Sequence, residues 1–411
     1  MAKVYHSEIY GLRETKYDWL NKHNIKNVKW NKLEPNSEFY LFIPQDQRML
    51  KSYQAFTKIT EVFPINSVGI ATSRDGFVID IDEKALRRKM EMFINKSVPD
   101  HLLKETYKLK ENKNWKLSDK RNIISKTIDR EKYFTKILYR PFDQRNIFYN
   151  NDVVERSRYE TMRHMINENV AIITERIIRE GNYRHTFVTT CIEDKHSIDI
   201  LGSANIFPLY LYPETDKKDL FSQHESGEKK PNIKHELFAE LKKNFKKAVT
   251  PEEIFYYIYA VLYSNTYRKK YAEFLKIDFP RVPFTKDYKL FIQLGKLGQQ
   301  LADLHLLKSK ELDKTISKFP IDGNNKVEKP KYANEKVWIN KEQYFDGIKE
   351  EVWQYQIGGY QVCQKWLKDR KKRTLTLDEI KTYCKIVTSL SKTIDLQNEI
   401  DKYFEEVEKT V

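Results

Sequence analysis

Apolar residues recur at every second position through much of the first half of the chain and at every third or fourth through the second. That change of period predicts strands first and helices afterwards. Residues 3–9 (KVYHSEI) read as a short strand, 13–23 as a helix and 39–44 as a second strand. A chain that begins on a strand suggests a piece of something longer, because an edge strand normally joins a sheet. In residues 64–90 (PINSVGIATSRDGFVIDIDEKALRRKM), apolar residues alternate on both sides of Arg74, Asp75 and Gly76. This predicts a hairpin whose tip carries Ser73, Arg74 and Asp75, followed by a helix from Glu83. Residues 104–132 are polar and charged, helical or looping. Residues 169–174 (NVAIIT) and 186–192 (TFVTTCI) have strand composition, with a short helix at 160–168.

Residues 214–234 are polar with few apolar positions and read as a surface linker and a domain boundary. Beyond them Thr250, Pro251 and Glu253 form a capping box with proline at the first helical position, launching the aromatic run EIFYYIYAVLY. Leu290, Leu294, Leu297, Leu301 and Leu304 make a stripe at helical spacing, which predicts core packing. Residues 331–345 have strand character around a turn at 333–335, and 350–373 a helix interrupted by Gly358 and Gly359. A second capping box, Thr376 to Glu379, opens a last helix reaching about Lys409. The pattern is α+β: a mixed sheet-and-helix lobe followed by a mainly helical lobe. Its parts are residues 1–50, 51–213, the linker 214–234, and 235–411.

Charge changes this picture. The 411 residues carry a net charge of +15, which favours a polyanionic partner. Most of the excess is lysine, which on its own fits a solvated surface. The arginines are different: eight of nineteen (Arg140, Arg145, Arg156, Arg158, Arg163, Arg176, Arg179, Arg184) fall between positions 140 and 184, where even spreading would put roughly two. Arginine suits forked recognition of phosphate oxygens and guanine edges. Tyr139, Phe142, Phe148, Tyr149, Tyr159, Tyr183 and Phe187 sit among them, so the stretch places guanidinium groups on a packed scaffold. It reads as a nucleic-acid surface.

Catalytic signals are sparse. Cys191, Cys363 and Cys384 form no CxxC pair, which argues against a disulfide framework and against a structural zinc site, and for a cytoplasmic chain. No run is long and apolar enough to span a membrane, and there is neither GxxxxGK[ST] nor GxGxxG. The nine histidines lack HExxH spacing. Asp80, Asp82 and Lys84 faintly resemble the acids and lysine of metal-dependent nucleases, but carboxylates placed just before a helix serve better as caps. Asp143, between Arg140 and Arg145, and Asp75, next to Arg74, are suited to restraining the neighbouring arginine, which then loses less entropy on meeting a base.

Taken in order, GIATSRDGFVID, ILYRPFDQRNIFYN, ERSRYETMRHM, RHTFVTTCIED and FPLYLYP resemble the C-terminal specificity region of type ISP restriction-modification enzymes. A lesser likeness runs to specificity domains of type IIG enzymes and their adenine methyltransferases. The resemblance continues through TPEEIFYYIYAVLYSNTYRKKYAEFLKIDFPRVP and WINKEQYFDGIKEEVWQYQIGGYQVCQKWLKDRKKRTL to the last helix. It implies a target recognition domain that reads an asymmetric sequence in double-stranded DNA for a methyltransferase and, in full-length relatives, a nuclease and ATP-driven translocase on the same polypeptide. Such relatives methylate an adenine flipped out of the duplex. This chain has no NPPY-like motif, cofactor loop or ATPase motif, so the resemblance puts catalysis elsewhere, with residues 1–50 as the tail of a methyltransferase-like domain. S-adenosylmethionine, ATP and magnesium are then expected only for the absent domains, and no catalytic residue, cofactor or metal for this chain.

Carried over, the expected DNA contacts are Thr72, Ser73, Arg74 and Asp75 at the hairpin tip, and Arg140, Asp143, Arg145, Arg156, Arg158, Arg163, Arg176, Arg179 and Arg184 in the basic block. Arginines beside an acid, Arg145 above all, are expected at base edges and unpartnered ones at phosphate. The competing reading is an accessory module whose basic face docks an acidic protein.

Overall fold

The computed structural model describes residues 3–9, 11–35, 42, 49–213 and 228–411. The chain divides into two compact units, Met1–Tyr53 and Gln54–Val411. In the first, strand Val4–His6 pairs antiparallel with Asn31–Leu33. Helix Arg13–Lys22 lies between them in sequence, where one was expected. The strand expected at 39–44 lies outside the described residues, Phe42 apart, and so does most of the expected linker.

The second unit is built on two four-stranded sheets. In one, Phe134–Arg140 and Asp143–Phe148 form an antiparallel hairpin, flanked by Ile192–Glu193, which runs parallel, and by Ile79–Asp80. In the other, Ser67–Val68, Ala204–Pro208, Ala171–Glu175 and Thr186–Thr189 are all antiparallel. Ala171–Glu175 is buried along its whole length, which accounts for the consecutive apolar residues Ala171, Ile172 and Ile173.

The segment 67–71 fastens the two sheets together. Gly69 N–H donates to Ala204 in one, and Ile70 N–H to Glu193 in the other. A Cβ at Gly69 would stand 2.7 Å from the Lys195 nitrogen, so the backbones meet only because the side chain is absent.

The hairpin expected within 64–90 does not form. Ser67–Val68 and Ile79–Asp80 belong to different sheets, and Asp75–Val78 is a turn of helix. Alternation could not foresee that Arg74 would turn inward, its guanidinium 3.7 Å from the Trp115 ring centre and 2.9 Å from Glu155. The helix from Glu83 does form, running to Ile94, and Asp82 caps it by accepting from Lys84 N–H. Asp80 pairs with Lys89 at 2.8 Å. Both acids therefore hold structural positions in the fold.

Helices dominate after residue 235. Both capping boxes form as read, at Thr250 and Thr376, opening Pro251–Tyr263 and the 33-residue Leu377–Lys409. The leucine stripe is buried along Tyr288–His305. The turn at 333–335 joins strands Lys331–Ala333 and Lys336–Trp338. At Gly358 and Gly359 the interrupted helix becomes a tight hairpin between Gln356–Ile357 and Tyr360–Gln361.

Sheet and helices share one interior. The rings of Phe142 and Phe187 pack on His305, 5.8 and 5.4 Å between centres, and Tyr263 donates its hydroxyl to the Thr186 carbonyl at 2.8 Å. His305 itself joins Tyr259, 2.7 Å from Nδ1, to Thr393, 2.9 Å from Nε2. Burial, helped by the nearby Arg268, pushes this imidazole down to about 3. The folded chain therefore resists a proton that the unfolded chain accepts near pH 6.5. Its contribution is complete above pH 6.5 and declines as pH falls.

Two outcomes follow for stability. Helices Pro251–Tyr263 and Tyr288–His305 touch closely enough that a Cβ on Gly298 would overlap the Tyr256 carbonyl, whereas one on Gly295 would sit 3.6 Å from the Glu253 carbonyl. Gly298→Ala should cost about 1–3 kcal/mol in urea unfolding, while Gly295→Ala should be neutral or stabilising. Between pH 6.5 and 5 stability should fall, and His305→Gln should show a shallower slope in the same titration.

Candidate functional site

The basic block folds around the hairpin at 134–148. At its turn Phe142 adopts φ +60°, and the next residue, Asp143, is delivered to the interior with a fully buried side chain. Its carboxylate accepts from Arg145 at 2.7 Å and from Arg370 at 2.9 Å. Burial alone would raise its pKa, but the two guanidinium groups outweigh that and hold it below the ordinary carboxylate value. Arg370 also reaches Glu379 at 3.2 Å, the residue that closes the second capping box.

Tyr139 is the platform for the neighbouring cations. Arg145 and Arg140 lie 3.9 and 4.0 Å from its ring centre, and its hydroxyl donates to Asp75 at 3.1 Å. Burial and that carboxylate push the phenol up to about 12. Arg140 pairs with Asp194 at 3.0 Å, and Arg145 reaches Asp369 at 3.4 Å. Thr72 is buried, accepts from Arg74 N–H at 3.1 Å and bonds Asp75 through its hydroxyl.

The structure therefore sorts the candidate residues into two groups. Thr72, Arg74, Arg140 and Asp143 are buried, and Asp75, Arg145 and Arg163 are half-buried. The guanidinium groups of Arg74, Arg140 and Arg145 are committed to acids and rings within the fold. Arg163 donates to the Tyr212 carbonyl at 2.8 Å. Its neighbour His164, pushed down to about 4 by burial and by Arg163, stays neutral and accepts from Tyr212 N–H. Ser73, Arg156, Arg158, Arg176, Arg179 and Arg184 are exposed. Arg156 is tied by its backbone to Ala71, which brings the 72–75 turn and the 156–158 loop together. Arg158 sits at φ +53°. Arg176 reaches Asp278 at 3.0 Å.

Arg184 opens onto a cleft of about 490 Å³ that the sequence did not reveal. Asn182 and Arg184 line one wall, Asn265, Arg268 and Lys269 another, and Gln354 and Gln356 a third. Arg184 donates to Gln356 at 2.6 Å. Arg268 lies 4.5 Å from the Tyr263 ring centre and donates to the Leu262 carbonyl. The run NTYRKK after Ser264 was a local signal, since Ser264 ends one helix and caps the next, turning polar residues outward. Nothing local ties it to positions 182–184 or 354–356. Amides and guanidinium groups together offer the donors and acceptors that base edges and phosphates require.

One cluster suits a cation. Glu175, His185 and Asp199, all buried, bring ligand atoms within 4.8 Å of one another. The cysteines are buried and unpaired. No helix among the described residues is long and apolar enough to cross a membrane.

The family model for the type ISP C-terminal specificity domain matches residues 61–399. No curated protein matches the chain. Among solved structures, a nuclease-deletion mutant of the type ISP restriction-modification enzyme LlaGI, in complex with a DNA substrate mimic, superposes with a TM-score of 0.69 at 20% identity, covering 97% of this chain and 33% of that one. The ATP-dependent type ISP enzyme LlaBIII bound to DNA gives 0.68 at 19% identity over 90% of this chain and 25% of that one. A DrdV–DNA complex gives 0.74 at 19% identity over 94% and 42%. These likenesses establish a shared fold, and the chain spans less than half the length of each.

Asp143→Ala should cost about 3–5 kcal/mol in denaturant unfolding, because the buried Arg370 and the half-buried Arg145 would lose their shared anion. Arg158→Ala, at an exposed position, should stay within about 0.5 kcal/mol. The Asp143 contribution should persist above pH ~4 and be lost as acid protonates the carboxylate.

Proposed function

Since the chain belongs to the type ISP C-terminal specificity domain family, we propose that it reads a sequence in double-stranded DNA on behalf of a restriction-modification enzyme. The observation that carries the reading is the sorting of the arginines. Arg74, Arg140 and Arg145 are committed to acids and rings within the fold, while Arg156, Arg158, Arg176, Arg179 and Arg184 stand exposed.

Such an arrangement suits recognition, because a preset backbone lets an exposed guanidinium meet its target with little further ordering. Arg145, expected from sequence at a base edge, is assigned instead to positioning, together with Arg74, Arg140, Thr72 and Asp143. Arg184, oriented by Gln356 at the mouth of an amide-rich cleft, is assigned to base reading. Arg156, Arg158 and Arg179 are assigned to phosphate, and Ser73 to the backbone beside them.

Methylation, cleavage and translocation, with S-adenosylmethionine, ATP and magnesium, belong in this reading to methyltransferase and nuclease domains outside these residues. The parent enzyme works in the cytoplasm, where its DNA is. The chain itself carries no catalytic residue in this reading.

The test is fluorescence anisotropy of the chain on a randomised duplex pool across a salt series, with retained duplexes sequenced. Affinity should fall linearly with salt on logarithmic axes, and one asymmetric motif should be enriched. Arg158→Ala should weaken all sequences alike and lower the salt slope by about one, whereas Arg184→Ala should relax one position of the motif. Binding that is blind to sequence and insensitive to salt would overturn the reading and favour docking of an acidic protein on the basic face.

A further inference from the structure

The second sheet ends in a group of side chains that DNA reading does not use. Glu175 closes strand Ala171–Glu175, His185 immediately precedes strand Thr186–Thr189, and Asp199 lies in the loop that leads back into the sheet. His185 Nε2 stands 2.9 Å from Asp199 Oδ2, and Asp199 Oδ1 accepts from Leu201 N–H at 2.9 Å. Glu175 differs from both. Its side chain is 1% exposed, and neither of its oxygens has a hydrogen-bond partner among the described residues.

An orphan carboxylate in the interior costs several kcal/mol in general unless a charge or donor compensates it. Here the nearest like charge makes matters worse. Asp199 has the same sign, and Arg179 attracts Glu175 without bonding to it. Glu193, also fully buried, adds a further acid nearby, and His196 faces Asp199.

The surrounding backbone is cut to make room for this carboxylate. Gly202 lies so close that any Cβ there would overlap the Glu175 oxygens, and a Cβ on Gly359 would stand 2.7 Å from Asp199 Oδ1. Gly358 and Gly359 close the group from the C-terminal hairpin, donating their N–H groups to the carbonyls of Arg184 and Ile198, both at 2.9 Å.

We infer that Glu175, His185 and Asp199 bind a divalent transition-metal ion, zinc being the best match. One imidazole nitrogen and two carboxylate oxygens are ligands zinc accepts, and the imidazole disfavours magnesium and calcium. Tetrahedral zinc holds its ligand atoms about 3.4 Å apart, so atoms already within 4.8 Å of one another need only a small closure. The ion bonds the orphaned carboxylate, balances two negative charges and pins three segments directly beneath the exposed Arg179 and Arg184. Its role is structural, and it departs from the metal-free chain expected from sequence because positions 175, 185 and 199 match no ligand motif. The inference does not rest on the DNA-reading proposal.

The test uses the whole chain, stripped with a chelator, incubated with zinc chloride and dialysed, with metal content measured by mass spectrometry. One zinc per chain is expected, together with a melting temperature raised by a few degrees in excess zinc. Glu175→Gln and Asp199→Asn, shown to be folded by circular dichroism, should each bind zinc at least about tenfold less tightly. Cobalt substituted into the unaltered chain should give the visible absorption of a four- or five-coordinate ion. Substoichiometric zinc, an unaltered affinity in both variants, or a six-coordinate cobalt spectrum from the unaltered chain would overturn the inference, the last without reference to any variant.

Discussion

The buried carboxylate of Asp143 is the point on which the architecture turns. It lies just past the tip of the long hairpin, and of its two cationic partners Arg145 sits on the same strand while Arg370 comes from far along the sequence. Through Arg370 it connects to Glu379 and hence to the first turn of the 33-residue helix. A largely buried ion triad adds little net stability by comparison with an apolar substitute, but it favours one geometry. The sheet and the last helix are thereby held in register by charge as well as by packing, with Phe142 and Phe187 against His305 as the apolar part of the same junction.

That junction explains why arginines so close in sequence have such different fates. Arg140 and Arg145 share a strand pair with Tyr139 and turn toward acids in the interior, whereas Arg156 and Arg158 lie on a loop whose backbone alone is held. A cluster of positive charge is thus partly a structural device. Part of it neutralises Asp143 and Asp194, and only the remainder faces solvent.

Much of the fold was legible in the sequence. Both capping boxes, the leucine stripe, the turn at 333–335 and the strand expected at 169–174 rest on local rules, and local rules suffice where neighbours in sequence decide the conformation, whereas the strand expected at 186–192 breaks after Thr189 and gives Ile192–Glu193 to the other sheet. The 64–90 segment failed because its conformation is set by Trp115 and Glu155, some forty and eighty positions away. Of the candidate site, the exposed arginines stand out in the sequence and the cleft does not. Asn182, Arg268 and Gln356 meet only once the chain is folded, and no spacing announces them. The same holds for Glu175, His185 and Asp199, whose association depends on strand pairing.

The Gly358–Gly359 hairpin bears on how readily this protein can change. Gly358, at φ +58°, and its neighbour fit against Ile198 and Asp199 with no room for a methyl group. Exposed positions such as Arg156, Arg176 and Arg179 can take nearly any residue at little cost to folding. A library meant to redirect the protein to new targets therefore has its freedom at those side chains and none at the two glycines. Its evolvability is concentrated in a few surface letters, and the scaffold that presents them stays invariant.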